Sequence, residues 1–211
     1  MTTPHLAARM LYTAHTQYDD IENSIIGDLG IGTGMLSIAS CLMGANFCFG
    51  LDYDQDALDL CQQNCQTFDL TTSLDILRCD LRRTIVPFRH RTVDTIVMNP
   101  PFGTKPFSSS LGADEGTVDY MLGGIDMIFL KHASQIATNS IYSLHKTVTR
   151  EYIIKKANEL NMKTDVIAVM QFDIPKLEKK SKYRQTTTDV SNRHLKPIEV
   201  DFIRFEIKDV N

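Results

Sequence analysis

The chain has 211 residues, of which 43% are hydrophobic and 23% are charged, and its formal net charge is −4. These proportions are typical of globular proteins and exclude a fibrous or largely disordered chain. The longest apolar stretches are well below the roughly 20 residues that a bilayer span needs, and no signal peptide is visible. We therefore expect a single domain over residues 1–211, located in the cytoplasm and nucleus.

The predicted elements alternate between strands and helices after one leading helix at His5–Thr16. Runs rich in Val and Ile predict seven strands, which are Ser24–Leu29, Phe47–Leu51, Leu74–Cys79, Val93–Met98, Ser140–Leu144, Thr164–Phe172 and Glu199–Ile207. Apolar residues spaced three and four apart predict four further helices, which are Met35–Met43, Asp56–Phe68, Ile125–Ala137 and Thr149–Leu160. Asp54 and Thr147 are predicted to be N-caps.

This alternation predicts an α/β fold with a mostly parallel sheet, helices on both faces, and ligands beyond the carboxyl ends of the strands. The last two strands have no helix between them. They are therefore predicted to be antiparallel neighbours joined by a long connection, which completes a seven-stranded mixed sheet.

Two segments have no regular pattern. Lys105–Gly124, with several serines and glycines, is predicted to be a long loop. Lys176–Lys196 has seven Lys/Arg against two acids, so its charge is +5 and the rest of the chain carries −9. A localised basic stretch favours contact with nucleic-acid phosphates, although a solvated loop fits the charge equally well. The candidate RNA-binding residues are Lys105, Lys179, Lys180, Lys182 and Arg184.

The five cysteines are odd in number and contain no C-x-x-C pair. This pattern argues against a disulfide framework and against a zinc site. We expect reduced structural thiols and no metal.

A glycine-rich loop, D-L-G-I-G-T-G at Asp28–Gly34, ends the first predicted strand and opens a helix. Gly30, Gly32 and Gly34 allow the backbone to approach a ligand closely, and the helix start offers unpaired N–H groups. Asp28 would repel a pyrophosphate but suits the ammonium and sulfonium groups of S-adenosylmethionine. It therefore favours that cofactor over a nicotinamide dinucleotide.

Acids also end the next two strands. Asp52 is suited to accept hydrogen bonds from both ribose hydroxyls of the cofactor, and Asp80 from its adenine amine. Each of these residues also has a structural explanation that stays open. Gly34 could allow a helix and a strand to pack closely, Asp52 could cap the next helix, and Asp80 could start a turn. The recurrence at three successive strand ends favours the cofactor site.

The tetrapeptide Asn99-Pro100-Pro101-Phe102 follows the fourth strand, so it faces the same crevice. Methylation of an aryl amine is helped by acceptors that bind its two N–H groups, here the Asn99 side-chain oxygen and the Pro100 carbonyl. The prolines fix the backbone, and Phe102 offers a flat face on which a base stacks. The alternative is a strand-ending turn with Phe102 packed into the core.

At these motifs the chain resembles class I S-adenosylmethionine-dependent methyltransferases, which have a Rossmann-like fold and here an N-P-P-F motif. More closely, it resembles the methyltransferase-like protein five family, which methylates adenine N(6) in small-subunit (18S) rRNA. The strings that carry the resemblance span nearly the whole chain: Pro4–Met10, Asp28–Gly34, Met98–Lys105, Tyr142–Lys146 and Glu199–Phe205.

The resemblance implies a catalytic role for Asn99–Phe102 and cofactor contacts from Gly30, Thr33, Asp52, Asp80 and Leu81. Thr2 matches a threonine in the family's longer N-terminal segment, whereas the glutamine of that segment has no match here. The resemblance further implies a nucleolar pool and a small zinc-binding activator subunit that forms a heterodimer. That subunit pairs with an edge strand, which we expect to be Leu74–Cys79.

Other functions stay open at this point. N-P-P-F also suits methylation of a guanine 2-amino group, and N-P-P-Y relatives methylate a glutamine amide in release factors. A non-catalytic RNA-binding scaffold on the same fold is a further alternative. A nicotinamide dehydrogenase would require a G-x-G-x-x-G motif and a catalytic proton donor, and this function would leave Asn99–Pro101 unexplained. His145 and Lys146 are candidates for substrate contact, with a structural role as the alternative for His145.

Overall fold

A computed structural model describes residues 2–82, 86–102, 124–175 and 195–208. Its seven strands form one sheet in the order β3-β2-β1-β4-β5-β7-β6. The strands are β1 Ile25–Leu29, β2 Phe47–Asp52, β3 Leu74–Arg78, β4 Val93–Met98, β5 Ala137–Lys146, β6 Met162–Pro175 and β7 Leu195–Ile207. The helices are α1 Pro4–Tyr18, α2 Met35–Leu42, α3 Gln55–Thr67, α4 Ile125–Ile136 and α5 Arg150–Glu159.

The mixed sheet and its terminal antiparallel pair confirm the predicted fold class. Strands β1 to β5 pair in parallel, β5 pairs with β7 antiparallel, and β7 pairs with β6 antiparallel. The observed β5, β6 and β7 are longer than predicted. Cross-strand pairs of polar residues, such as Lys163 with Glu206, extend the β6–β7 ladder where the apolar pattern fades.

Capping explains where the helices begin. The Thr3 hydroxyl accepts the Leu6 N–H at the start of α1, and the Asp54 carboxylate accepts the Asp56 N–H at the start of α3. Asp54 is therefore the predicted N-cap. The prediction for Thr147 is wrong: this residue lies in a short 3₁₀ helix, Thr147–Thr149, ahead of α5. Its hydroxyl donates to the buried carboxylate of Asp201 at 2.7 Å, a charge-assisted hydrogen bond that holds this side chain against β7.

The buried side chains form two groups, one on each face of the sheet. The first contains residues of α1, α2 and α3, and the second contains residues of α4 and α5. Helices therefore cover both faces, as predicted. No helix in the described part of the chain is long and apolar enough to cross a membrane.

The β6–β7 hairpin projects past the carboxyl edge of the parallel strands. Val200 of β7 is opposite Lys146, the last residue of β5, and the pairing with β6 continues to Leu195 opposite Pro175. Five further residues at ~3.3 Å each give a projection of about 17 Å. Pro175 and Leu195, the described residues that flank 176–194, therefore lie on the edge of the sheet where ligands are expected, and the sequence between them contains most of the basic segment Lys176–Lys196.

Candidate cofactor and catalytic site

The predicted site residues follow four strands that are neighbours in the sheet, β3, β2, β1 and β4. These strands are parallel, so their carboxyl ends lie at one edge. The topology therefore brings the glycine loop, Asp52, Asp80 and Asn99 to a common crevice, as the sequence predicts.

The glycine loop is docked against the end of β2. The N–H groups of Gly30 and Ile31 donate to the Leu51 carbonyl at 2.8 and 3.0 Å, and the Gly32 N–H donates to Asp52 Oδ2 at 2.9 Å. Gly34 has a φ of 87°, and a Cβ there would lie 2.6 Å from the Cys61 Sγ on α3. Gly34 therefore serves helix packing, which was the structural explanation for this residue.

Asp28 is buried beneath the loop, with only 1% of its surface exposed. Its Oδ2 accepts a hydrogen bond from the Ser37 hydroxyl at 2.8 Å, whereas Oδ1 has no partner among the described residues. Burial raises the pKa of Asp28 to about 7, although the Ser37 hydrogen bonds act in the opposite direction. A buried carboxylate oxygen with no donor is an unfavourable arrangement that a nearby cation would relieve.

Asp52 organises the turn after β2 rather than capping α3. Its Oδ1 accepts the N–H groups of Tyr53 and Asp54 at 2.8 and 3.1 Å, and its Oδ2 faces the glycine loop. Asp54 performs the capping. Because each carboxylate oxygen accepts about two hydrogen bonds, the single bond that Oδ2 accepts from the described residues leaves capacity for a ribose hydroxyl.

Asp80 is bound by Arg82. Its Oδ1 accepts the backbone N–H and the Nε of Arg82 at 3.0 and 2.7 Å, and its Oδ2 accepts Nη2 at 2.6 Å. The bond from the Arg82 N–H to Asp80 Oδ1 closes a turn, so Asp80 also has the structural role that the sequence left open. The Arg82 guanidinium lies over the Tyr53 ring, 5.0 Å from its centroid. The neighbouring Leu81 is buried, and its carbonyl is 2.9 Å from the His132 Nε2.

Two adjacent cavities meet at Gly30. The smaller, about 70 Å³, is lined by Thr2, Gly30, Ile31, Gly32, Thr33, Met35 and Asn99. The larger, about 260 Å³, is lined by Gly30, Leu51, Asp52, Tyr53, Cys79, Asp80, Leu81, Arg82, Pro101, Ile125 and Phe129. Together they reach the roughly 300 Å³ at which small-molecule sites begin. Most of the predicted cofactor residues line one of the two, whereas Asp28 and Gly34 lie behind the loop.

The N-P-P-F segment borders both cavities. Asn99 Nδ2 donates to the Thr2 hydroxyl at 3.1 Å, which joins the start of the chain to the end of β4. Pro100 is buried, Pro101 is exposed beside the larger cavity, and Phe102 is half-buried against the core. Part of the Phe102 ring therefore packs in the core, in line with the alternative explanation of the motif.

Comparison with known proteins shows which family the chain belongs to. A family model described as ribosomal protein L11 methyltransferase (PrmA) matches residues 2–100. The rRNA N(6)-adenosine-methyltransferase METTL5 of Danio rerio is 41% identical over 204 residues, which are 97% of this chain and 86% of that protein. The chain belongs to the METTL5 family. The Drosophila melanogaster member, rRNA N(6)-adenosine-methyltransferase Mettl5, is 40% identical over 206 residues, or 98% of this chain and 84% of that protein.

The solved structures contain the same architecture. PH1948, a candidate RNA methyltransferase from Pyrococcus horikoshii, superposes with a TM-score of 0.69 at 27% identity. The match covers 96% of this chain and 84% of that one. The Rossmann-like methyltransferase fold expected from the sequence is therefore confirmed.

In this METTL5-family chain, the histidine considered for substrate contact has a structural position. His145 has no exposed surface, and its Nδ1 lies 3.4 Å from Asp126 Oδ2 at the start of α4. Its ring packs edge-on against Phe205 of β7. Lys146 is half-buried at the end of β5, on the catalytic edge of the sheet.

The sequence motifs did not predict the side chains that form the walls of the larger cavity, chiefly Tyr53, Arg82 and Phe129. A signal was available for the first two, since they directly follow Asp52 and Leu81 at strand ends. The candidate RNA-binding residues Lys105, Lys179, Lys180, Lys182 and Arg184 lie outside the described residues, as does almost all of the predicted loop Lys105–Gly124.

Proposed function

We propose that this chain transfers a methyl group from S-adenosylmethionine to N(6) of an adenosine in rRNA, specifically small-subunit (18S) rRNA, in the nucleus, nucleolus and cytoplasm. The observation that carries the proposal is the placement of Asn99 beside the glycine loop, bonded to Thr2 in the smaller cavity. Full-length similarity to rRNA N(6)-adenosine methyltransferases of two animals supports the choice of acceptor.

The residues present fit the cofactor. The buried Asp28 lies behind the glycine loop, outside the lining of both cavities, and its Oδ1 has no donor among the described residues. Its negative charge would favour the ammonium group at the methionine end from behind the loop. Asp52 Oδ2 at the junction of the cavities suits a ribose hydroxyl. The larger cavity, with Leu51, Leu81 and Phe129 in its wall, suits an adenine ring. An acid beneath the loop is unfavourable for a pyrophosphate, which disfavours a dinucleotide.

The amide of Asn99 is oriented for an amine substrate. Because its Nδ2 donates to Thr2, its Oδ1 is left to accept an N–H of the target amine. An exocyclic amine held by acceptors keeps its lone pair on nitrogen instead of delocalising it into the ring. Pro100 cannot donate a backbone N–H, so the backbone here offers only its carbonyl acceptors.

Catalysis by this chain consists of positioning. S-adenosylmethionine would supply, when bound, an electrophilic sulfonium methyl group, with the neutral thioether as the leaving group. The product nitrogen then loses one proton to water, which leaves the adenine neutral. Asn99, oriented by its bond to Thr2, would hold the acceptor amine in line for this displacement, so no protein nucleophile is required.

The test is methylation of small-subunit rRNA with labelled cofactor, followed by mass spectrometry of the nucleosides. We expect N(6)-methyladenosine, a loss of about a hundredfold in kcat for Asn99→Ala, and a smaller loss for Thr2→Val, which removes the acceptor for the Asn99 amide. A Thr2→Ser variant keeps that acceptor and is the matched control. 2-Methylguanosine or a methylated protein would overturn the acceptor, and RNA binding without any transfer would leave the scaffold alternative.

We further propose that the basic segment binds the RNA backbone. The support is its origin at the tip of the hairpin that projects past the catalytic edge. Each contact of a cation with a single-stranded phosphate adds about 0.7 to the slope of log K against log salt. Replacing Lys179, Lys180, Lys182 and Arg184 by Gln should therefore reduce the slope by up to about 3 and leave binding of S-adenosylhomocysteine unchanged. An unaltered slope would contradict this assignment.

A small zinc-binding activator subunit is proposed to pair with β3. Within the described residues β3 pairs only with β2, so its other side is a sheet edge. Leu77 on β3 is 46% exposed, and a groove of about 330 Å³ runs between β3 and α3. The Cys79 N–H donates to the Asp52 carbonyl, and alternation along a parallel strand therefore points the Arg78 N–H outward.

This orientation gives a matched pair of variants. Arg78→Pro removes an outward donor, whereas Arg78→Ala removes the side chain and keeps the N–H. With the purified activator subunit, we expect Arg78→Ala to form the complex on size exclusion and Arg78→Pro to lose it. Equal binding by both variants would place the partner elsewhere.

A further inference from the structure

Three side chains at the rim of the larger cavity, those of Tyr53, Asp80 and Arg82, form an ordered unit in which only Asp80 has so far been given a role. Arg82 binds Asp80 through its backbone N–H, Nε and Nη2, and its guanidinium stacks on the Tyr53 ring. All three residues line the cavity. They come from the turns after β2 and β3, so the unit closes the outer side of the cavity.

The fold gains little from this unit. The Arg82 and Asp80 side chains are 38% and 26% exposed, and Tyr53 is 58% exposed. Ion pairs and cation–π contacts with that exposure contribute little to folding stability, because solvent screens them. The three bonds to Arg82 nevertheless fix the plane of the Asp80 carboxylate. The arrangement is therefore ordered without being important for folding.

We propose that Tyr53 and Arg82 form a wall against which the cofactor's adenine packs, and that Arg82 is the positioning residue that holds Asp80 toward that base. The inference rests on the proposed function, since it assumes S-adenosylmethionine in the site. A planar guanidinium and an aromatic ring together present flat surface beside a cavity wide enough for a base. A bound adenine would also exclude water from the ion pair and strengthen it.

Arginine is required here because of its geometry. The two N–H groups of the guanidinium reach both oxygens of Asp80, at 2.7 and 2.6 Å. Lysine provides a point charge on a flexible stem and cannot make this fork. A lysine in this place would keep attraction to Asp80 and Tyr53 but lose the fixed carboxylate plane.

Steady-state kinetics tests the role. For Arg82→Met we expect the KM for S-adenosylmethionine to rise about tenfold, with kcat and the KM for RNA unchanged, because Asn99 lies in the other cavity. Arg82→Lys should recover only part of this loss. Tyr53→Leu should raise the cofactor KM several-fold, and Tyr53→Phe, which keeps the ring, should raise it less.

Calorimetry with S-adenosylhomocysteine distinguishes a failure of the proposed function from a failure of the proposed adenine wall. If the unaltered chain does not bind this ligand, the proposed function fails. If the unaltered chain binds it and Arg82→Met binds it equally well, only the wall fails. A rise in the KM for RNA without a change for the cofactor would instead make Arg82 an RNA contact and overturn the inference.

Discussion

Asp28 makes the stability of this chain depend on pH in a direction that most carboxylates do not. Burial raises its pKa from 3.8 to about 7, so the folded state retains a proton that the unfolded state releases. The stability that the protonated carboxyl contributes is fully present below pH 4 and is lost as the pH rises through 7. At about 1.4 kcal/mol per pH unit, the total is about 4 kcal/mol, of which roughly 3 kcal/mol is lost between pH 5 and 8.

Asp28→Asn removes this titration and keeps an oxygen for the Ser37 hydroxyl. We expect the free energy of unfolding of the variant, relative to the unaltered chain, to be about 3 kcal/mol more favourable at pH 8 than at pH 5. Urea unfolding at the two pH values measures this difference. A relative stability for Asp28→Asn that is equal at both pH values would refute the reasoning.

The same carboxyl links pH to cofactor affinity. The ammonium group of the ligand favours the ionised form of Asp28, so affinity for S-adenosylhomocysteine should rise up to about tenfold from pH 6 to 8, as a group with a pKa of about 7 loses its proton. Asp28→Asn should bind more weakly, and its affinity should change little over this range. A parallel pH profile in both proteins would show that another group is responsible.

Two further predictions concern the framework around the site, and urea unfolding measures both. Gly34→Ala should lower the free energy of unfolding by about 3 kcal/mol or more, because φ is 87° and the new Cβ would lie 2.6 Å from the buried Cys61 sulfur. Gly44→Ala is the matched control: φ is 89°, but the new Cβ would lie 3.3 Å from the flexible Glu22 side chain, so the loss should be about 1 kcal/mol. Similar costs would contradict the packing role of Gly34. Arg204→Met should cost about 3–5 kcal/mol by leaving buried Asp20 without its ion pair, and adding Asp20→Asn should recover part of that loss.

Periodicity was enough to place most of the fold. Strands β1 to β4 and all five helices lie within about two residues of their predicted bounds, because apolar spacing reports burial directly. The predictions were wrong where contacts between residues distant in sequence determine an element's boundary or a side chain's partner. β5 begins at Ala137, directly after α4, so no loop residues mark the boundary. The hydroxyl of Thr147 finds Asp201, which is distant in sequence, and no local pattern could have indicated this bond.

The sequence predicted which residues lie at the site, because the carboxyl ends of parallel strands meet at one edge of the sheet. It did not predict which side chains form hydrogen bonds with each other there. Residues at the carboxyl ends of neighbouring parallel strands converge whatever their rotamers, which explains why Asp52, Asp80 and Asn99 border one pair of cavities. The partners of those residues depend on side-chain direction. Nothing in the sequence required Asp80 to be held by Arg82, or Asn99 by Thr2.

The two ends of the cavity pair differ in how strongly they are tied to the fold. Behind the glycine loop lie Asp28 and Gly34, whose surroundings are packed, so changes there alter stability and affinity together. At the other end, Tyr53 and Arg82 are substantially exposed and contribute little to folding. Variation at the adenine end can therefore change cofactor affinity almost independently of stability, whereas variation beneath the loop cannot. Comparing Asp28→Asn with Arg82→Met in both assays would measure this separation directly.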